Sequence, residues 1–205
     1  MAARDERPAG DVGDTGETPV PPETAGDPST GSGQAIAPAL QGGAPLVGIV
    51  MGSASDRGKM QPAADILAQF GVPCEVVVLS AHRTPEETAE YARGAAARGL
   101  RILIGGAGWS AALPGVLAGH TTLPVIGVPL TGSPLGGQDA LYSMIQMPPG
   151  VPVAVVGLDT ARNAGLLAVR ILALGDARLA AALEDYREKA RQAVLSADAG
   201  ASAPS

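Results

Sequence analysis

His82 and Arg83 stand side by side in Ser80-Ala81-His82-Arg83-Thr84-Pro85-Glu86-Glu87. An imidazole moves a proton near neutral pH, and a planar guanidinium grips a phosphate through paired N–H bonds. A second polar cluster, Gly52-Ser53-Ala54-Ser55-Asp56, precedes a helical pattern. Small residues and hydroxyls there leave backbone N–H groups and Ser side chains for an anion, although Ser and Asp are also ordinary helix caps. A third stretch runs Gly105-Gly106-Ala107-Gly108-Trp109-Ser110-Ala111-Ala112-Leu113-Pro114-Gly115. Three glycines in four positions permit close backbone approach to a ligand or unusual dihedrals. The single tryptophan at its tip is either a lid over a site or a subunit contact. A fourth, Gly-rich loop covers Gly132 to Asp139, followed by a Met-rich segment that reads as packing. Asn163, after Asp159-Thr160, could touch a substrate, but its position suits helix capping. None of these stretches has the glycine spacing of a dinucleotide fingerprint or a triphosphate loop.

The elements that must position these residues repeat regularly. Apolar runs at Leu46–Met51, Cys74–Leu79, Ile102–Ile104, Pro124–Val128 and Val153–Leu158 look like strands buried on both faces. Between and after them, Arg57–Phe70, Glu86–Arg98, Ala111–Ala118, Asp139–Gln146 and Arg162–Ala173 carry apolar residues at helical spacing. Thr84 with Glu87 reads as a capping box, with Pro85 in the first helical position. A last helix, Asp176 to about Leu195, has Leu179, Leu183, Tyr186 and Ala190 on one stripe and suits either the domain or a partner subunit. Five β/α units and a terminal helix make a three-layer α/β sandwich on a five-stranded parallel sheet. Ligands bind such sheets at the carboxyl ends of the strands, where the four polar or Gly-rich loops all fall. His120 lies at the opposite edge and reads as structural; Cys74, inside a strand, reads as an inert core thiol.

The 205 residues carry a formal charge of -6, 46% hydrophobic residues and only 2% aromatics. Seven acids and two arginines fall in residues 1–45, together with eight Gly and seven Pro. Such a segment cannot bury enough apolar surface to offset the entropy of ordering, so 1–45 reads as a disordered acidic tail, 46–197 as the α/β domain and 198–205 as a disordered end. The domain itself is nearly neutral. Without a basic face or aromatic platform, neither nucleic acid nor an anionic membrane is an expected partner. A lone cysteine and two histidines offer no disulfide and no zinc spacing, so a reduced, cytoplasmic protein without metal is expected. Neither a signal-peptide pattern nor a membrane-length apolar run is present.

Five motifs in order and spacing resemble the N5-carboxyaminoimidazole ribonucleotide mutases of purine biosynthesis: Val50-Met51-Gly52-Ser53-x-Ser55-Asp56, Ser80–Pro85, Gly106-Ala107-Gly108 with Leu113-Pro114-Gly115, Gln146-Met147-Pro148-x-Gly150-x-Pro152-Val153, and Asn163-Ala164-x-Leu166-Leu167-Ala168. The likeness spans roughly Pro45 to Ala190. It implies a flavodoxin-like fold, a homo-octamer, no organic or metal cofactor, and a ribotide and carbon dioxide as small-molecule partners. The implied reaction moves a carboxylate from an exocyclic amine to the adjacent ring carbon by decarboxylation, retention of carbon dioxide and recarboxylation. His82 is then the proton shuttle; Ser53, Ser55, Asp56, Ser80 and Arg83 bind the ribotide; and Gly106, Gly108, Trp109, Ala111 and Leu113 belong to the substrate pocket. Trp109 and Ala112 depart from the family pattern, which has Gly and His there. This departure also admits altered carboxylase or decarboxylase chemistry on a related imidazole or nucleotide-like acid. A non-enzymatic nucleotide-binding module is the third reading.

Overall fold

The computed structural model describes residues 43–201. The acidic segment up to residue 42 and the last four residues lie outside the described part. The sheet has five parallel strands: β1 Val47–Met51, β2 Cys74–Val78, β3 Ile102–Ala107, β4 Val125–Pro129 and β5 Ala154–Val155, in the order β2-β1-β3-β4-β5. Its register places Val47 between Cys74 and Ile102, and continues Leu103 to Val125 and Ile126 to Ala154. Every residue of β1, β3 and β4 is buried, as strands covered on both faces require.

Among the described residues six α-helices cover the sheet: α1 Arg57–Gln69, α2 Pro85–Ala95, α3 Leu113–Gly119, α4 Gln138–Ile145, α5 Ala161–Ala173 and α6 Ala177–Ala201. On one face, Met60, Ala63, Ala64 and Leu67 of α1 and Ala161, Ala164, Ala168 and Val169 of α5 bury Val47, Ile49, Met51, Ile104 and Val128. On the other, Ala92 and Ala95 of α2, Leu113 and Leu117 of α3, and Ala140 and Met144 of α4 close over Val50, Leu103 and Val125. With few aromatics, density comes from small residues that let backbones approach. Gly165 is one: a Cβ there would lie 2.9 Å from the Ala63 carbonyl of α1.

Several details differ from the sequence expectation. β3 runs to Ala107, so Gly105 and Gly106 are strand residues rather than loop residues. A Cβ on Gly105 would crowd Pro114 of α3 at 3.1 Å, and one on Gly106 would strike Met60 of α1 from the other side. The two glycines therefore seat a helix on each face of β3. Helix α3 starts at Leu113, two residues later than its apolar pattern. β5 shrinks to two residues: it is an edge strand, and Pro152 just before it has no N–H to pair. Pro85 opens α2 as expected, but the capping box does not form. The Thr84 hydroxyl instead turns back, accepting from the Ser80 N–H at 2.8 Å and donating to its carbonyl at 3.1 Å.

The terminal helix serves the domain along its first half. Leu179 is buried, Leu183 packs on the α1/α5 core, and Tyr186 meets Phe70 with ring centroids 5.6 Å apart. Farther along, Val194 and Leu195 are exposed. Cys74 is buried, and burial raises its thiol pKa. His120 caps the C-terminus of α3 and is exposed.

Candidate active site

The chain order reverses direction between β1 and β3, and a crevice opens there outside the carboxyl ends of the strands. It forms a cavity of about 490 Å³ bounded by the loops after β1, β2, β3 and β4. One wall is polar: Ser53, Ser55 and Asp56 from the first loop face Ser80, His82 and Arg83 from the second. The other is mostly apolar, built from Ala107, Gly108, Trp109, Ala112 and Leu113 after β3 and Leu130 after β4. Two residues placed in the pocket by the resemblance do not line it. Gly106 sits in β3 with its backbone carbonyl bonded to the Gly52 N–H, and Ala111 is buried in the core behind the loop.

Local hydrogen bonds fix the polar wall. Ser53 caps a single turn of tight helix, Ala54–Asp56, its hydroxyl accepting from the Ser55 N–H at 3.3 Å and from the Ser55 hydroxyl at 2.8 Å. Asp56 begins α1 but makes no side-chain cap bond, so its carboxylate is left to the cavity. Burial raises the Asp56 pKa, opposed by the nearby Ser53 backbone, the Ser55 hydroxyl and the charges of Lys59 and Arg83. Arg83 joins the two loops, donating from its guanidinium to the Gly52 carbonyl at 2.8 Å and to the Ser80 hydroxyl at 3.3 Å. The turn that carries His82 is closed by the Thr84 N–H on the Ser80 carbonyl at 2.8 Å. His82 itself is exposed to the cavity.

On the apolar wall the backbone takes an unusual course. Trp109 has φ of 55° and Asp159 has the same value; among the described residues these are the two non-glycines in the left-handed region. Asp tolerates that region, whereas a bulky residue there is an outlier. Gly108 is pressed against Leu130, where a Cβ would lie 3.2 Å from the carbonyl oxygen, and Ala111 is anchored in the core. The chain turns between these anchors at Trp109.

The sequence reading missed a polar tie beside the cavity. Lys59 of α1 donates to the carbonyl and hydroxyl of Thr131 and pairs with Asp159 at 3.1 Å. Asp159 in turn accepts from the Thr131 N–H at 2.9 Å and from its hydroxyl. Burial works against ionisation of Asp159, but the bonds from Thr131 and Lys59 together hold its pKa below the usual carboxylate range. This tie joins α1 to the loops after β4 and β5, and Thr131 lines the cavity. Thr131 and Asp159 follow strands at the carboxyl edge, which is the one sequence signal available for them. Asn163 lies outside the cavity, exposed on the outer face of α5 with Leu166 and Arg170.

A polar wall that carries an imidazole and a guanidinium, facing a mostly apolar wall, suits a small phosphorylated molecule with a flat ring. Comparison with known proteins points the same way. The profile of the AIR carboxylase family matches residues 46–193. The chain is 52% identical over 155 residues to the N5-carboxyaminoimidazole ribonucleotide mutase of Mycobacterium leprae, covering 76% of this chain and 91% of that protein. The Aquifex aeolicus protein of the same name is 59% identical over 130 residues, covering 63% of this chain and 78% of its own length. A phosphoribosylaminoimidazole carboxylase of Schizosaccharomyces pombe is 54% identical over 151 residues, but the match spans only 27% of that longer protein. Among solved structures, Treponema denticola PurE superposes with a TM-score of 0.71 at 34% identity, covering 78% of this chain and 99% of that one.

Proposed function

The chain belongs to the AIR carboxylase family, and from that premise we propose that it converts N5-carboxyaminoimidazole ribonucleotide to 4-carboxy-5-aminoimidazole ribonucleotide in purine biosynthesis, with His82 carrying the proton. Protonated His82 donates to the carbamate nitrogen, the nitrogen–carboxyl bond breaks, and carbon dioxide is released into the pocket. The electron pair of the adjacent ring carbon attacks that carbon dioxide. Neutral His82 then removes the proton from the same ring carbon, restoring the aromatic ring. His82 gives one proton to the nitrogen, where it stays, and takes another from the ring carbon, so it ends as it began and atoms and electrons balance without oxidant or reductant.

The observation that carries this reading is the convergence of His82 and Arg83 with Ser53, Ser55 and Asp56 at the switch point of the sheet. Arg83 and the Ser53–Ser55 turn supply donors for the phosphate, and Asp56 accepts from the ribose hydroxyls. Ala107, Ala112, Leu113 and Leu130 give carbon dioxide an apolar wall that holds it beside the ring. A homo-octamer in the cytoplasm belongs to the same proposal, and exposed Leu174, Val194 and Leu195 support assembly.

Trp109 and Ala112 support a second reading, carboxylase or decarboxylase chemistry on a related imidazole. Incubating the purified full chain with the carbamate ribotide and following the product separates the two. Cofactor-free conversion that His82→Asn abolishes supports the mutase. Failure of the wild-type chain to convert it, with conversion appearing when Trp109→Gly and Ala112→His are introduced together, supports the altered chemistry.

A further inference from the structure

We propose that Trp109 is the specificity-determining residue of this site, its indole lying flat against the heteroaromatic ring of the bound ribotide. The inference rests on the mutase reading of the site and concerns how this chain recognises the base. The cavity is divided: donors and carboxylate on the β1 and β2 loops suit a phosphoribose, which leaves the ring for the opposite wall. That wall is mostly aliphatic, with the hydroxyls of Ser110 and Thr131 and the indole of Trp109 among its side chains. The other aromatic side chains are committed elsewhere. Phe70 and Tyr186 pack together, Tyr91 donates to Glu75 at 2.7 Å beneath the Arg98 guanidinium, and Tyr142 lies on α4 away from the cavity lining. Among the described residues, Trp109 is thus the one Phe, Tyr or Trp ring that lines the cavity, across from the His82 imidazole on the polar wall.

Its setting argues for an occupant. The side chain is 61% exposed in a protein with a single tryptophan, and its backbone sits at φ 55°. A bulky residue stays in the left-handed region only where its surroundings over-determine it, and such positions gather at ligand clamps. Here the surroundings are Gly108 against Leu130 and Ala111 in the core, three residues apart. Glycine would adopt this φ without strain, and the described residues leave the indole 61% exposed. A planar ring in the pocket covers it, because every heteroaromatic base offers a π face for stacking.

The test uses the full chain and two probes, 5-aminoimidazole ribonucleotide and ribose 5-phosphate, which differ in the ring alone. Calorimetry gives the affinity for each, and the emission of the single tryptophan gives its environment. The ribotide is expected to quench or shift that emission while ribose 5-phosphate, bound through the polar wall, leaves it unchanged. Trp109→Leu should weaken ribotide binding by roughly tenfold with ribose 5-phosphate unaffected, since base–aromatic stacking is of that order. Trp109→Phe should keep most of the preference. Ribotide binding with silent emission and an unaltered Leu variant would overturn the proposal. So would emission that responds to protein concentration alone, which would make Trp109 a subunit contact. No ribotide binding by the wild-type chain would instead refute the function on which the proposal rests.

Discussion

Asp159 offers a quantitative handle on how the site is held. Its carboxylate accepts from the Thr131 N–H at 2.9 Å and the Thr131 hydroxyl and pairs with Lys59, and its backbone is left-handed at φ 55°. Asp159→Asn keeps the shape, the tolerance of that φ and an oxygen for the Thr131 N–H, while its amide N–H replaces the oxygen that takes the Thr131 hydroxyl and Lys59, so that hydroxyl must accept instead and the charge pairing is lost. With side chains 37% and 34% exposed the Lys59 pair is largely screened, so the loss should be about 0.5 kcal/mol. Asp159→Ala also removes both Thr131 bonds and places a Cβ without a local hydrogen bond in the left-handed region, for a total of about 2 kcal/mol. At about 2–4 °C per kcal/mol for a domain of this size, melting temperatures should fall by about 1–2 °C in the Asn variant and about 4–8 °C in the Ala variant. Calorimetric melting of both variants reads this, and KM for the ribotide should rise several-fold in the Ala variant as Thr131 loosens at the cavity wall. The dependence on pH has a definite sign. Because the folded pKa of Asp159 lies below the ordinary carboxylate value, its stabilisation is complete above about pH 4 and is lost as pH falls through the folded pKa. The gap between wild type and Asp159→Ala should therefore close in acid. Equal melting of the two variants at neutral pH, or a gap that widens in acid, would refute this reasoning.

Two other substitutions separate binding from packing. Arg83→Lys keeps the positive charge but loses the planar fork that joins the Gly52 carbonyl and the Ser80 hydroxyl, so KM should rise by about tenfold with a smaller change in kcat, measured by steady-state kinetics. Gly106→Ala drives a methyl into buried Met60 and should cost about 1–3 kcal/mol of stability, read by thermal melting, while KM stays at its wild-type value. A raised KM without loss of stability would return Gly106 to the pocket.

Much of the fold was legible because alternating apolar runs and helical patterns require parallel crossovers, and parallel crossovers direct ligands to one edge. That rule put Ser53, Asp56, His82 and Arg83 at the ligand edge, each just past a strand and each lining the cavity, while the roles proposed for them come from the family resemblance. The misreadings share a different cause. Gly105 and Gly106 looked like loop residues because local propensity cannot register that Met60 and Pro114 approach β3 from opposite faces. Thr84 and Glu87 had the spacing of a capping box, yet the Thr84 hydroxyl was needed to close the turn on Ser80. Lys59 and Asp159 are 100 residues apart, and only the packing of α1 against α5 brings them together. The left-handed backbone of Trp109 follows from its anchored neighbours, and nothing in the tryptophan itself announces it.

The central claim is that His82 moves a proton at a site other residues bind. Its most direct test is a paired measurement on His82→Asn: ribotide affinity by calorimetry and conversion of the carbamate ribotide under single-turnover conditions. The imidazole's proton transfer should be worth at least about 10²-fold, so conversion should fall by that much or more while affinity stays within a few-fold of wild type. Conversion that survives in this variant, or that falls only in step with lost binding, would contradict the account.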